Sequence, residues 1–417
     1  VGVRGLLGIA LLLLLAWALS EDRRAIAWRT VIGGVVLQWV LAVLLIELPA
    51  STIVLVWLND AADALQRASE AGTGFVFGYL GGGALPFNET QPGASYILGF
   101  RALPLVLVIS ALSAVLFHWG VMQRVMGAFA WLLRRTLGIE GPLALGAAVH
   151  IFVGNVEAPL LVRPYLASMQ RGELFALMTC GMAGVAGTVM VIYATFLSSI
   201  VPQALATILI ASVISTPAAL AIGALMVPFG PNPVQGAELA VEERSVSTMD
   251  AFVKGTLDGI GPLAAIIAVL IVTIAAVTLC NMALGLLPPA WFPGGGAAVT
   301  LQGLFALVFR PVMWLIGIPW AESSAAAALM GTKTVVNEFV AYLDLAHLPP
   351  GTLSARSARI MTYAMCGFAN FGSLGIMLGG MGAMVPARRA ELARLGLRTI
   401  VSGTMATCMS GAVAGIV

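Results

Sequence analysis

Charge is scarce in this chain. Only 10% of its 417 residues are Asp, Glu, Lys or Arg, against about 25% in soluble proteins. So few charged groups cannot coat a fold that is 60% hydrophobic, which excludes a water-soluble domain and makes a lipid bilayer the solvent that the composition requires. The formal net charge of +2 provides no basic surface for nucleic acid. Cysteine occurs four times. Cys180, Cys280, Cys366 and Cys408 have no CxxC spacing and no nearby histidine pair, so they read as small apolar core residues rather than metal ligands or disulfides. Motifs for catalysis are missing as well: no HExxH, no GxSxG and no P-loop occurs. The expectation is a non-enzyme with no cofactor, and any uphill transport it performs must draw on an ion gradient.

What the chain has in abundance is long apolar runs. Crossing the hydrocarbon core takes about 20 residues, and runs of that kind lie at roughly 4–20, 31–48, 102–119, 174–199, 203–227, 261–287, 357–384 and 398–417. The first is read as a membrane helix and not as a signal peptide, because further spans follow and no small-residue cleavage site does. Arg23, Arg24 and Arg29, then Arg124, Arg134 and Arg135, then Arg388, Arg389, Arg394 and Arg398 mark the inner side, and acidic 47–95 the outer. That threading requires 141–170 and 320–350 to leave the membrane on the side they came from. Segment 51–69 alternates apolar and polar residues as an interfacial helix does, and 121–137 does likewise. A polar linker, 228–250, divides two halves.

Each half repeats one order: a segment with polar residues where a span should be apolar, then a span interrupted by glycine. The first members hold Asn155 and Glu157 in one half and Asn337 and Glu338 in the other. The second members hold Gly184 and Gly187 in one and Gly372 and Gly375 in the other. Paired broken segments in corresponding positions point to a transporter binding site, since irregular backbone at membrane depth must line a cavity or be buried in protein. An acid inside the membrane costs at least ~2.5 kcal/mol and is functional by default, so Glu157 and Glu338 head the list. Asn370 and Ser373, three apart, are expected on one helix face beside Phe368 as a polar pair for a hydroxylated ligand. Lys333 is expected to hold a hairpin carbonyl or to snorkel, Arg163 to mark the mouth of the first hairpin, and His150 to serve as a structural donor.

The stretches IFVGNVEAPLLVRPYL (151–166), GTKTVVNEFVAYLDL (331–345), CGFANFGSLGIMLGGMG (366–382) and PARRAELARLGLRTIVSGT (386–404) resemble the concentrative nucleoside transporter family. The resemblance implies an all-α polytopic membrane protein with eight spans, interfacial helices and two re-entrant hairpins arranged as inverted repeats. It implies a homotrimer that imports nucleosides by cation symport and moves like an elevator; the expected location is a bacterial inner membrane. Scaffold parts would be 1–140 and 228–319, and transport parts 141–227 and 320–417. Carried over, the base side of the substrate site is Gly154, Asn155, Val156, Glu157 and Val189; the ribose side is Asn337, Glu338, Phe368, Asn370 and Ser373. The family commonly has Gln-Thr where this chain has Asn155-Val156. Sodium-coupled members hold their ion at positions matching His150, Val153, Gly184 and Val185. With His and Gly replacing two side-chain oxygen ligands, coupling to H+ is favoured over Na+. The alternative from a different class is a gate-like membrane protein that senses or passively passes small polar solutes.

Overall fold

The structure is a computed structural model describing residues 2–89, 95–139, 141–155, 157–198, 200–230, 245–288 and 299–417, and every regular element among them is a helix. The chain opens with α1 (Gly2–Ala18) and α2 (Trp28–Ile46), followed by α3 (Pro49–Phe77), α4 (Leu98–Arg101), α5 (Leu105–His118) and α6 (Val121–Leu137). The first hairpin comprises α7 (Gly141–Val149), α8 (Glu157–Leu161) and α9 (Arg163–Leu166). A broken span follows as α10 (Arg171–Ala183) and α11 (Gly187–Leu197), then α12 (Ala204–Met226), α13 (Thr248–Asp258), α14 (Ile260–Leu284) and α15 (Leu301–Leu315). The second hairpin is α16 (Ser323–Val335) and α17 (Glu338–Ala346); its broken partner is α18 (Ala355–Met365) and α19 (Phe371–Met384), and α20 (Arg389–Ile416) closes the described chain.

Among the described residues, five helical stretches are long and apolar enough to cross a bilayer: Trp28–Ile46, Leu98–His118, Ala204–Met226, Thr248–Leu284 and Pro386–Ile416. With α1 and the two broken spans they give the eight passes that hydropathy predicts. Two of the predicted spans are not continuous: 174–199 parts at 184–186 and 357–384 parts at 366–370. The interfacial helix predicted over 51–69 runs over Pro49–Phe77 instead, and the basic residues Arg389, Arg394 and Arg398 lie inside α20 and not in a loop before it. Most of the linker, 231–244 with Pro231, Pro233, Glu238, Glu242, Glu243 and Arg244, is outside the described residues.

Burial separates a central post from an outer face. The apolar window of α12 is 94% buried and that of α14 only 6%, although both are equally able to span; α12 packs on α2, α10 and α20, while α14 presents Ile271, Val272 and Leu279 outward. Cys280 is exposed on this bare helix, so the expectation that all four cysteines are core residues fails there, whereas Cys180, Cys366 and Cys408 are buried. An apolar helix in lipid needs no buried stripe, so an apolar neighbourhood in sequence does not imply burial in protein. Polar contacts fasten the post. Gln38 on α2 donates to Ser410 Oγ (3.0 Å), which shares a hydrogen bond with Ser215 on α12 (2.8 Å).

At one end the first loop is tied to later helices by charge. Arg171 forks onto both carboxylate oxygens of Glu21 (3.1 and 3.0 Å), Arg398 also reaches Glu21, and Arg388 caps the first hairpin by donating to Leu166 O and Met169 O. The Arg171 hydrogen bond holds the Glu21 carboxyl below its usual value of 4.5. A depressed carboxyl stabilises the fold above its unfolded pKa, and that contribution is lost as pH falls through the folded value. Because Glu21 and Arg171 are both partly solvent-exposed, the contribution is about 1 kcal/mol. Glu21→Gln is therefore expected to lower the thermal midpoint at pH 7, with the gap to the wild type closing below about pH 4; a gap that persists unchanged into acid would show that the ion pairs are not its source.

Candidate functional site

The second hairpin turns at Val336–Asn337. Asn337 caps α17 by accepting from Val340 N (2.9 Å), which leaves Glu338 as the first residue of that helix. α16 and α17 pack against each other, as the opposed arms of a hairpin require. Glu338 is only 3% exposed, and each of its oxygens is held. Tyr193 Oη donates to one (2.7 Å) and Asn370 Nδ2 to the other (2.9 Å). The carboxylate thus joins the second hairpin to both broken spans, through α11 and through the break before α19. Two donors aimed at one buried acid satisfy it far better than solvent-free apolar packing could.

The first hairpin reaches the same junction. Phe152 O accepts from Gly187 N (3.0 Å), Phe368 N donates to Gly184 O (3.2 Å), and Asn155 Nδ2 reaches Ser373 O (3.4 Å). The two breaks and the first tip are therefore stitched backbone to backbone. Such close approach requires glycine. A Cβ on Gly187 would stand 2.7 Å from Phe152 O, and one on Gly367 would stand 2.7 Å from Met182 O. Small residues at crossing points allow helices in a membrane to meet this tightly.

The sequence-predicted residues fall into three groups. Asn155, Glu338, Asn370 and Ser373 are brought together directly, with Val189 (9% exposed) one helical turn before Tyr193 and half-buried Phe368 bonded to Gly184. Gly154 and Glu157 sit on the first tip, where Glu157 Oε2 lies over Gly154 so closely that a Cβ there would come within 2.2 Å. Glu157 is exposed, not buried like its counterpart, so the expectation of two equally sunken acids holds for Glu338 alone. Val156 lies outside the described residues.

Other expectations need correction. Asn370 and Ser373 do not display their side chains on one helical face. Asn370 is the N-cap of α19, and its Oδ1 accepts from Ser373 N (2.7 Å) while its amide serves Glu338. Asparagine at the start of a helix satisfies orphan N–H groups, which is the cheaper use of its carbonyl. Lys333 neither holds a carbonyl nor snorkels: it is 0% exposed and its Nζ has no partner among the described residues. His150 is 3% exposed with Nε2 unpartnered among the described residues, so it donates to none of them through that atom. Its ring lies against Gly181, where an added Cβ would stand 3.0 Å from Cε1, and its carbonyl lies near Gly184. Val185 is fully buried at the break, and Val153 is half-buried at the tip.

Sequence reasoning missed Tyr193. Its ring packs on Phe339 (5.9 Å between centroids) and Tyr342 (5.2 Å). The available signal was a tyrosine four residues beyond Val189 in an otherwise apolar span, because a buried phenol must find an acceptor.

Two helical hairpins and two interrupted helices meeting at a buried carboxylate define a membrane carrier. The chain belongs to the concentrative nucleoside transporter family, whose members are membrane transporters and not enzymes. Residues 207–415 match the family described as "Na+ dependent nucleoside transporter C-terminus", residues 7–80 match its N-terminal counterpart, and residues 99–200 match "Gate: Nucleoside recognition". The chain is 36% identical to an uncharacterized transporter of Haemophilus influenzae over 99% of this chain and 96% of that protein. It is 34% identical to the rat sodium/nucleoside cotransporter 1, covering 98% of this chain but 63% of the rat protein. Its fold is similar to the solved structure of CNTnw in an inward-facing substrate-bound state, with a TM-score of 0.88, 34% identity and coverage of 99% and 98% of the two chains.

Proposed function

We propose that this protein imports nucleosides across a bacterial inner membrane by cation symport. The observation that carries the reading is Glu338, buried at the junction of one hairpin and both broken spans and held between Tyr193 and Asn370. An ionised carboxylate with lone pairs to spare is the acceptor that vicinal sugar hydroxyls match best. On this reading Asn337, Glu338, Phe368, Asn370 and Ser373 take the ribose, and Gly154, Asn155, Val156, Glu157 and Val189 take the base, with exposed Glu157 at the open side. Segments 141–227 and 320–417 move as an elevator against 1–140 and 228–319. The bare apolar face of α14 supports association with further copies, as a homotrimer, and with lipid.

Protons are the coupling ion in this proposal. Sodium is a hard cation that prefers oxygen ligands. At the positions where sodium-coupled members place ligand side chains, this chain offers the imidazole of His150 and no side chain at all at Gly184. The Gly184 carbonyl is, moreover, already engaged by Phe368 N. Uptake of radiolabelled uridine into proteoliposomes, with sodium and pH varied independently, tests both parts. Accumulation driven by an inward proton gradient and abolished by an uncoupler is the expected result. Sodium-driven accumulation that ignores an uncoupler would overturn proton coupling, and failure to concentrate any nucleoside under either gradient would overturn transport.

A further inference from the structure

Lys333 is the buried cation to which the site gives no task. It lies in the last turn of α16, completely enclosed, with neither a hydrogen bond nor an ion pair among the described residues. An ammonium so placed is strongly disfavoured unless an opposite charge compensates it. The acid whose field reaches it is Glu338, five residues on and across the hairpin tip. The other ionisable groups facing the two are Tyr193 on α11, Tyr342 on α17, Cys366 at the break after α18 and Cys408 on α20. Thiols and phenols are ordinarily uncharged at neutral pH, so among the described residues facing the pair each charge has the other as its compensation.

The separation is informative. A lysine in contact with Glu338 would occupy lone pairs that Tyr193 and Asn370 already share with any incoming ligand. A lysine held out of contact, on the other arm of the hairpin tip, supplies the same sign of field and takes no acceptor position. We propose that Lys333 is a positioning residue for cargo binding: a fixed countercharge that keeps Glu338 ionised and its remaining lone pairs free for sugar hydroxyls. Both charges ride on one hairpin, so this pair adds no net charge to it. This rests on Glu338 contacting the cargo, as proposed above.

The test uses the full chain in nanodiscs, with uridine affinity measured by calorimetry at pH 6, 7.5 and 9. Lys333→Met is expected to bind at least 10-fold more weakly than the wild type at pH 6 and to approach it at pH 9, because the uncompensated carboxyl ionises only at higher pH. Lys333→Arg should follow the wild type throughout. Wild-type affinity in Lys333→Met at every pH, or an equal loss at every pH, would overturn the proposal. A second measurement does not depend on Lys333→Met folding. In Glu338→Gln the ammonium stands alone, so the melting temperature should rise from pH 6 to pH 9, and adding Lys333→Met should remove that slope; a flat profile for Glu338→Gln overturns the countercharge. Normal uridine binding by Glu338→Gln would instead refute the site reading. Lost binding in Glu338→Gln alongside pH-independent wild-type binding in Lys333→Met would refute the countercharge alone.

Discussion

Replacing Glu338→Gln is expected to weaken nucleoside binding about 100-fold and to abolish measurable uptake, while the protein still assembles and elutes as a single species. The side chains are nearly isosteric, so the packing of Tyr193, Phe339 and Tyr342 around the position is kept. The hydrogen-bond arithmetic is not kept. Tyr193 Oη and Asn370 Nδ2 are both donors and both are bound to this carboxylate. A glutamine has one acceptor oxygen and one donor amide, so one of the two buried donors must turn away or face another donor. In addition, the charge that would strengthen contacts to sugar hydroxyls is gone. Hydrogen bonds to charged groups contribute roughly 1.5–3 kcal/mol each, and a loss of ~3 kcal/mol in the complex corresponds to a little over 100-fold in Kd. Calorimetry with uridine, run beside size-exclusion chromatography, measures affinity and assembly separately. Affinity within threefold of the wild type would remove Glu338 from the substrate site.

The legible parts of this molecule were those written in glycine, charge and hydropathy. An apolar chain with two acids and two glycine-interrupted spans in matching order leaves few ways to fold in lipid, and the hairpins and breaks lie where that pattern puts them. Glu338 was legible because carboxylates are expensive at depth. Tyr193 was not, because a tyrosine in a span is ordinarily an interfacial anchor, and only the position of α17 against α11 turns its hydroxyl toward an acid. Asn370 was legible as a polar group but not as a cap, since helical spacing presumes a helix that has already begun. Lys333 and Glu157 were misjudged in opposite directions. A long cationic side chain can always be imagined reaching water, and an acid beside Ala158 and Pro159 can always be imagined buried. Burial at a hairpin tip depends on which arm meets the neighbouring helices, and that is a tertiary fact.

Placing oxygen where the first hairpin meets the first break should convert the coupling of transport. The double substitution His150→Asn with Gly184→Ser is expected to make uridine uptake rise at least 10-fold on adding sodium at fixed pH, where the wild type should stay within twofold. The backbone permits it. Gly184 has φ −116° and ψ 174°, an extended conformation that serine adopts without strain, and a Cβ there would stand 3.3 Å from His150 O, a squeeze of a few tenths of an ångström. Asparagine is smaller than histidine, so the space beside Gly181 that houses the imidazole accepts it. It also replaces a ring nitrogen that has no partner with an amide oxygen, a better donor for a hard cation. Each single substitution supplies one oxygen and should give little, so the gain is expected to be non-additive, as for any pair of ligands that act on one ion. If the double variant folds, binds uridine and remains indifferent to sodium, the ion is not held between His150 and Gly184. If the wild type already responds to sodium as strongly as the variant, the His150 and Gly184 substitutions do not decide the coupling ion.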